Sequence, residues 1–403
     1  MKICVIGLGY IGLPTAAMFA KNTNNFILGI DINKNVVDTI NKGKIHIVEP
    51  GLEEIVKEVI LNNKLKASME IEEADVFIIC VPTPFDNEQL KPITDYIKSA
   101  VSEIAKVIKK NDLVILESTS PIGTTEKISK WIQELRPDLV CPHTNENSDV
   151  YIAHCPERVI PGYVLKEIIN NDRIIGGLTN KSTDKTIELY KQLVKGECIP
   201  TNAKTAEMSK LVENASRDVQ IAFANELSMI CDDFGINIWE LISLANKHPR
   251  VNILNPGCGV GGHCIAVDPW FIVNAAPLKS KLIKTARDIN NYKTDYVIEQ
   301  IIQQANKLNT KQITCLGLAF KPDIDDLRES PAVKIVEKLF SLGYELKAVE
   351  PNIEKLPEKL QDKCQLIKID ELDDTFKVIL VAHKEFRLIK NKLKSNCLSY
   401  CSI

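Results

Sequence analysis

The chain has 403 residues, too many for one ordinary domain, with 45% apolar and 26% charged residues, the balance of a globular protein able to bury a sizeable core. Its 50 Lys and Arg against 53 Asp and Glu leave a formal charge of -3, which excludes a global basic field for nucleic acid or anionic lipid. Twelve scattered cysteines form no CxxC pair and follow no secretory leader, and the apolar runs are too short to span a bilayer, so reduced thiols in a cytoplasmic, multidomain protein are expected.

In chain order, Met1 to Ile6 is an apolar run meeting Gly7, and a helical pattern over Thr15 to Ala20 follows. Phe26 to Ile30 ends in Asp31, and further strands are expected at Val76–Val81, Leu113–Leu116 and Tyr151–His154, separated by charged stretches at helical spacing. This alternation predicts a parallel sheet with helices on both faces. From Thr201 to Asp232 there is almost no glycine or proline, which predicts one long helix, and more helix is expected from Leu278 to about Leu308. The opening theme then returns: Gln312 to Gly317 reads as strand into glycine, Ala332 to Leu342 as helix and Glu345 to Val349 as strand. The expected fold is α/β, two Rossmann-like domains with parallel sheets joined by a central long-helix domain, divided at 1–198, 199–308 and 309–403.

Gly7-Leu8-Gly9-Tyr10-Ile11-Gly12 fits G-x-G-x-x-G between a strand and a helix. Glycines there let the backbone turn tightly and approach a pyrophosphate, whose charge meets the amides of the helix N-terminus. Asp31 follows about 20 residues later, where a carboxylate takes ribose hydroxyls and repels a 2′-phosphate, so NAD is favoured over NADP.

The stretch Asn255-Pro256-Gly257-Cys258-Gly259-Val260-Gly261-Gly262-His263-Cys264 is glycine-rich enough to fold closely around a ligand. On the residues alone, Cys264 is a nucleophile if a nearby cation lowers its pKa, or a small buried apolar residue, the usual fate of a free cysteine. A zinc set of Cys258, His263 and Cys264 lacks the usual four-ligand spacing. Lys210, Asn214 and Arg217 lie at i, i+4 and i+7 on one stripe of the long helix, with Leu211, Val212, Ala215, Val219, Ala222 and Phe223 on the opposite arc. Periodicity does not separate a solvated face from a stripe lining a cleft, where Lys210 and Arg217 would offer positive charge.

Together these segments resemble the nucleotide-sugar 6-dehydrogenases, enzymes that oxidise UDP-glucose, GDP-mannose and related sugars to uronic acids. The matching motifs, in order, are Gly7–Gly12, Val81-Pro82-Thr83-Pro84, Glu117 to Thr124, Cys155-Pro156-Glu157-Arg158, Gly261-Gly262-His263-Cys264, and Gly317 to Asp323 with Asp326 to Pro331. The wording around Cys264 (Gly-His-Cys-Ile-Ala-Val-Asp-Pro-Trp-Phe, with His248 to Asn252 upstream) is closest to the branch acting on UDP-N-acetyl-D-mannosamine. The UDP-N-acetylglucosamine branch is nearer than the UDP-glucose branch, whose Ser-Cys-Phe-Pro-Lys-Asp wording is absent.

The resemblance implies four-electron oxidation by two NAD, with Cys264 trapping the aldehyde as a thiohemiacetal that becomes a thioester. It implies that Lys210 steadies the oxyanion with Asn214 beside it, and that Asp268 and Glu157 manage water and proton. Arg158, Val159, Arg217, His248, Arg250 and Gly261 would hold sugar and diphosphate, with Lys210 and Asn214 also facing the sugar. Phe320 and Lys321 would meet the nucleotide, and Thr83, Thr119 and Arg328 the cofactor, beside Gly7, Gly9, Tyr10, Ile11, Gly12 and Asp31. It further implies a homodimer, or dimer of dimers, built through the central helices, a role in polysaccharide biosynthesis, and no metal.

One departure stands out. Relatives continue into a short Asp-x-[KR] segment, whereas here Lys394 to Ile403 carries no acid or arginine, and none lies after Arg387. A diverged or truncated end motivates a second expectation, a nucleotide-sugar-binding protein with impaired turnover. A two-electron hydroxyacid dehydrogenase is a third, and would leave the cysteine loop without a task.

Overall fold

The computed structural model describes residues 1–402 except Asn87, Pro161, Lys394 and Ser395, together with the backbone but not the side chain of Lys392; Lys394, Ser395 and Ile403 of the departing tail thus lie outside the described residues. The chain divides into two compact units, Met1–Val212 and Glu213–Ile403.

The first unit is built on an eight-stranded sheet in the order Cys198–Asn202, Arg173–Gly177, Tyr151–His154, Leu113–Leu116, Val76–Ile79, Lys2–Ile6, Phe26–Ile30, Leu65–Ser68. Alternate residues of Lys2–Ile6 enter opposite cores: Ile3 and Val5 pack with Leu13 and Phe19, Cys4 and Ile6 with Phe77 and Val101. Both faces are covered, which is why these strands read as continuous apolar runs. Sheet order reverses between Lys2–Ile6 and Val76–Ile79, and such a switch point opens a crevice at the strand ends. Six of the eight strands run parallel, as the alternation predicts. Tyr151–His154 and Arg173–Gly177 pair antiparallel, so the two outermost strands on that side run against the other six.

The second unit contains a five-stranded parallel sheet ordered Gln365–Leu366, Glu345–Val349, Gln312–Leu316, Phe376–Ile379, Cys397–Ser399. The departing tail therefore supplies an edge strand. The two long helices, Ala203–Phe234 and Lys281–Lys307, match the expected spans within a few residues.

The buried arc of the first of these differs from the periodic reading. Val212 and Phe223 are 39% and 50% exposed, whereas Leu211, Ala215 and Ala222 are buried as expected. The buried line runs Leu211, Ala215, Asp218, Ala222, Asn225, with two polar residues in it. The reason is a polar partner on Lys281–Lys307. Arg287 Nη1 donates to Asp218 Oδ1 at 2.6 Å, Asn290 Nδ2 donates to the same oxygen at 2.8 Å, and Asn225 Nδ2 donates to Asn290 Oδ1 at 2.8 Å. Lys293 Nζ reaches Ser228 Oγ at 2.9 Å. Buried polar groups so paired are tolerated, and unpaired they would not be.

Candidate active site

At the crevice of the first unit, Gly7 to Gly12 carries the chain from strand into the helix Gly12–Asn22. A Cβ on Gly12 would overlap the Gly7 carbonyl oxygen, so only glycine permits so tight a turn. Gly9 and Tyr10 are exposed, and Gly7 and Ile11 are half-buried. Asp31 is fixed by the Leu8 amide, which donates to Oδ2 at 3.0 Å, and by the Asn33 amide, which donates to Oδ1 at 2.9 Å. Thr83 and Thr119 are half-buried. The buried hydroxyl oxygens of Thr83 and Ser120 have no hydrogen-bond partner among the described residues. Buried hydroxyls are rarely left so, and these two suit a ligand that supplies the missing bonds. A glycine cradle, a pinned acid and unsatisfied hydroxyls together fit a dinucleotide.

Behind the Pro156-Glu157-Arg158 segment lies a buried charged cluster. Arg173 Nη1 stands 2.5 Å from Glu157 Oε2 and 3.4 Å from Glu117 Oε1. Glu117 also accepts from Tyr190 (3.0 Å), Thr15 (3.2 Å) and the Cys80 thiol (3.0 Å). Burial, then the charge of Glu157, pushes the Glu117 carboxyl up. Burial works against the Arg173 charge, but the carboxylates around it, Glu157 foremost and Glu117 with it, outweigh that and hold the guanidinium protonated. Glu157 is thereby held from behind, and its Oε1 accepts the Arg158 amide at 2.7 Å. Arg158 Nη2 donates to the Asp172 carbonyl and Val159 packs against the core.

Lys210 is half-buried, one turn beyond Glu207. Glu207 is buried and accepts from the Gly123 amide (2.5 Å) and from both the amide and hydroxyl of Thr125 (2.7 Å each), so it caps the helix Thr124–Leu135 and ties the lysine's turn to the segment that follows Thr119.

In the second unit, Cys264 is exposed, and its carbonyl accepts the Val267 and Asp268 amides at 3.1 and 2.8 Å as the helix Asp268–Ala275 begins. Asn214 Nδ2 donates to Asp268 Oδ2 at 2.6 Å. The structure thus links Asn214, Asp268 and Cys264. Upstream, the Gly257 amide donates to Asn225 Oδ1 and Thr294 Oγ1 donates to the Cys258 carbonyl, so the polar seam between the long helices also anchors the cysteine loop. Of the twelve cysteines, eight are buried, three are half-buried and Cys264 is the exposed one.

Gly261 is buried under Phe320 and the Glu329 carbonyl, where a Cβ would stand 2.8 and 2.5 Å away. Lys321 and Arg328 are exposed, and Arg328 pairs with Asp326 at 2.6 Å. Arg217, His248 and Arg250 are also exposed. Arg250 and His248 share a turn in which the arginine amide donates to His248 Nδ1 at 3.3 Å.

Sequence reasoning missed Arg173, Glu207 and the Asp218–Arg287 pair. A charge opening the apolar run Arg173-Ile174-Ile175-Gly176-Gly177 was a usable signal for the first. The partners of the others lie 69 to 84 residues away and leave no local trace.

Three family models match in succession: the NAD binding domain of the UDP-glucose/GDP-mannose dehydrogenase family over residues 1–194, its central domain over 204–292 and its UDP binding domain over 314–398. A UDP-N-acetyl-D-mannosamine dehydrogenase of Campylobacter jejuni is 57% identical, over 99% of each chain. A protein of the same name from Escherichia coli (strain K12) is 54% identical, over 96% of this chain and 94% of its own. An NDP-N-acetyl-D-galactosaminuronic acid dehydrogenase of Ralstonia nicotianae is also 54% identical, over 96% of this chain and 91% of its own. Among solved structures, a UDP-D-ManNAc dehydrogenase from Pyrococcus horikoshii superposes with a TM-score of 0.87 at 38% identity, covering 100% of this chain and 96% of the other. With the dinucleotide crevice and the exposed cysteine in place, these matches establish that the chain belongs to the UDP-glucose/GDP-mannose dehydrogenase family and is an NAD-dependent enzyme.

Proposed function

We propose that this chain catalyses the NAD-dependent, four-electron oxidation of the C6 alcohol of UDP-N-acetyl-D-mannosamine to UDP-N-acetyl-D-mannosaminuronate. The observation that carries the reading is Cys264, the exposed thiol of the chain, at the start of the helix whose Asp268 is held by Asn214. Relatives at 57% and 54% identity bearing that substrate in their names support the choice of sugar.

NAD, when bound by Gly7, Gly9, Tyr10, Ile11, Gly12, Asp31, Thr83 and Thr119 with Arg328, supplies the hydride acceptor for each of the two oxidation stages. Cys264 Sγ adds to the aldehyde carbon, and Lys210 steadies the oxygen as it gains charge, with Asn214 beside it. The resulting thiohemiacetal keeps the reactive aldehyde on the protein between stages. At the thioester stage, Glu157 and Asp268 take the proton of the attacking water, the C–S bond breaks and the thiolate of Cys264 returns. Arg158, Val159, Arg217, His248, Arg250 and Gly261 hold the sugar and diphosphate, and Phe320 and Lys321 the uracil end.

The working division is a cofactor domain (1–198), a central helical domain (199–308) and a nucleotide domain (309–403). Phe223, Ile230 and Phe234, exposed on the long helix, suit a second copy of this chain, so the protein is a homodimer, or a dimer of dimers, in this reading. Among the described residues no helix is long and apolar enough to cross a membrane, and a thiol-rich chain acting on a nucleotide sugar belongs in the cytoplasm.

The test is NADH formed per mole of UDP-N-acetyl-D-mannosamine consumed, with UDP-N-acetylglucosamine, UDP-N-acetylgalactosamine and UDP-glucose run beside it. A ratio of about two with the first sugar alone is expected, since two hydrides leave per alcohol carried to an acid. The Ralstonia relative makes the N-acetylgalactosamine sugar the strongest competitor, and a ratio of about two with it alone would move the substrate, not the chemistry. No NADH from any sugar, in a protein that still binds NAD and UDP, would leave a binding protein instead.

A further inference from the structure

The second sheet repeats the strand–glycine–acid theme of the first, but its acid does a different job. Glu350 follows Glu345–Val349 as Asp31 follows Phe26–Ile30. Asp31 is half-buried and takes one amide of its glycine turn, that of Leu8. Glu350 is fully buried in its side chain, and its Oε2 takes two amides, those of Leu318 (2.7 Å) and Ala319 (2.9 Å). So placed, it faces inward and is spent on the protein.

What holds Glu350 is His383, also fully buried in its side chain, whose Nε2 lies 3.0 Å from Glu350 Oε2. His383 Nδ1 accepts the Asp323 amide at 2.9 Å, which assigns the ring proton to Nε2 and makes the imidazole a neutral donor to the carboxylate. Asp323 has φ 61°, a left-handed conformation that costs energy in a non-glycine residue, and its carboxylate accepts the Lys384 amide at 2.9 Å. One histidine therefore fastens both ends of the turn 317–323: the start through Glu350 and the finish through Asp323.

Phe320 sits at the middle of that turn, and its ring lies against the cysteine loop. A Cβ on Gly262 (φ +81°) would stand 2.9 Å from the ring, and one on Gly261 would stand 2.8 Å from Phe320 Cβ. The Gly262 amide donates to the Arg328 carbonyl at 3.3 Å, and the Phe320 amide to the Asp326 carbonyl at 3.1 Å. Cys264 is two residues on.

We propose that His383 and Glu350 are a positioning pair for catalysis: they hold the shape of the 317–323 turn, and through Phe320 on Gly261–Gly262 that shape sets the cysteine loop, so the nucleotide end and the nucleophile are aligned by one clamp. This rests on the reading of Phe320 and Lys321 as the nucleotide end and of Cys264 as the nucleophile. Neither His383 nor Glu350 touches substrate in this scheme.

The experiment compares the full chain with His383→Ala, His383→Gln and Glu350→Gln by amide hydrogen exchange without cofactor or sugar, and by steady-state NADH formation. His383→Ala is expected to speed exchange about tenfold or more in both 317–323 and 257–267, as loss of a charge-assisted hydrogen bond allows, with kcat lowered to a similar degree and KM for NAD unchanged. His383→Gln restores both readouts, because its amide supplies one donor and one acceptor. Should His383→Ala fail to fold, Glu350→Gln, which loses the carboxylate charge but keeps an acceptor, carries the same two expectations. Faster exchange confined to 317–323 with kcat unchanged, or no recovery in His383→Gln, overturns the proposal. The exchange arm needs no turnover. An inert wild type with coupled exchange therefore counts against the substrate reading alone, and an active one with uncoupled exchange against the clamp alone.

Discussion

Asn214 donates from Nδ2 to Asp268 Oδ2 across 2.6 Å, and the Asp268 amide donates to the Cys264 carbonyl across 2.8 Å, so the long helix reaches the proposed nucleophile through one side chain and one backbone bond. A hydrogen bond to a charged group contributes about 1.5–3 kcal/mol. Asn214→Ala is therefore expected to lower kcat by about 10- to 100-fold with KM for NAD unchanged, measured by initial rates of NADH formation. An unchanged kcat would show that the Asp268 carboxylate needs no such anchor.

The Arg287–Asp218 pair is nearly inaccessible, with side chains 2% and 0% exposed. Burial pushes the Asp218 carboxyl up even though Arg287 opposes it, so the ion pair costs desolvation on both sides. Arg287→Leu is expected to destabilise the chain by about 3–5 kcal/mol, because it strands a buried charge, while adding Asp218→Leu recovers much of the loss. Urea unfolding of the two single variants and the double variant reads this directly. Additive losses would mean that the pair is not coupled.

His154 is wholly buried, and burial drives its imidazole down to about 3. The unfolded chain takes up this proton near pH 6.5 and the folded one does not, so unfolding binds protons and stability rises with pH across that window. The contribution is fully present above pH 6.5 and is lost as pH falls from there towards 3. Between pH 6.5 and pH 5 it falls by about 2 kcal/mol. Melting temperatures at those two values should converge in His154→Asn once its own stability change is subtracted. An equal acid shift in variant and wild type would assign the effect to another group.

Asp31 is pinned by two backbone amides, which aims its carboxylate in one direction. Asp31→Ser is expected to narrow the preference for NAD over NADP by about tenfold or more, since a like charge facing the 2′-phosphate costs several kcal/mol. Initial rates with each cofactor give the ratio, and a ratio that does not move would place discrimination elsewhere.

Much of the fold was legible because both sheets are covered on both faces. Continuous apolar runs such as Phe26–Ile30 and Leu113–Leu116 announce themselves as strands to the residue. Short or charged edge strands, Leu65–Ser68 and Cys198–Asn202 among them, do not. The long helix was legible in length but not in orientation. Val212 and Phe223 look like core by hydropathy, and Asp218 and Asn225 look like surface, until a polar seam on a helix some 70 residues away supplies their partners. The same holds for the site. Motifs picked out Glu157 and Cys264, yet Arg173 behind the first and the His383–Glu350 clamp are set by pairings across 16 and 33 residues that no spacing rule contains.

The burial of the cysteines has a practical consequence. Eleven of the twelve thiols are pushed up by burial, Cys141, Cys364 and Cys397 to about 11 and Cys4, Cys155, Cys315 and Cys401 to about 12, which leaves them inert as thiolates at neutral pH. Cys264, exposed, stands alone against reagents arriving from solvent. Sub-stoichiometric iodoacetamide thus titrates competent sites in a preparation, and stored enzyme exposed to peroxide loses turnover while its melting curve stays in place. Thiol reductant restores that loss only up to the sulfenic stage, so the age of a sample is written in a single side chain.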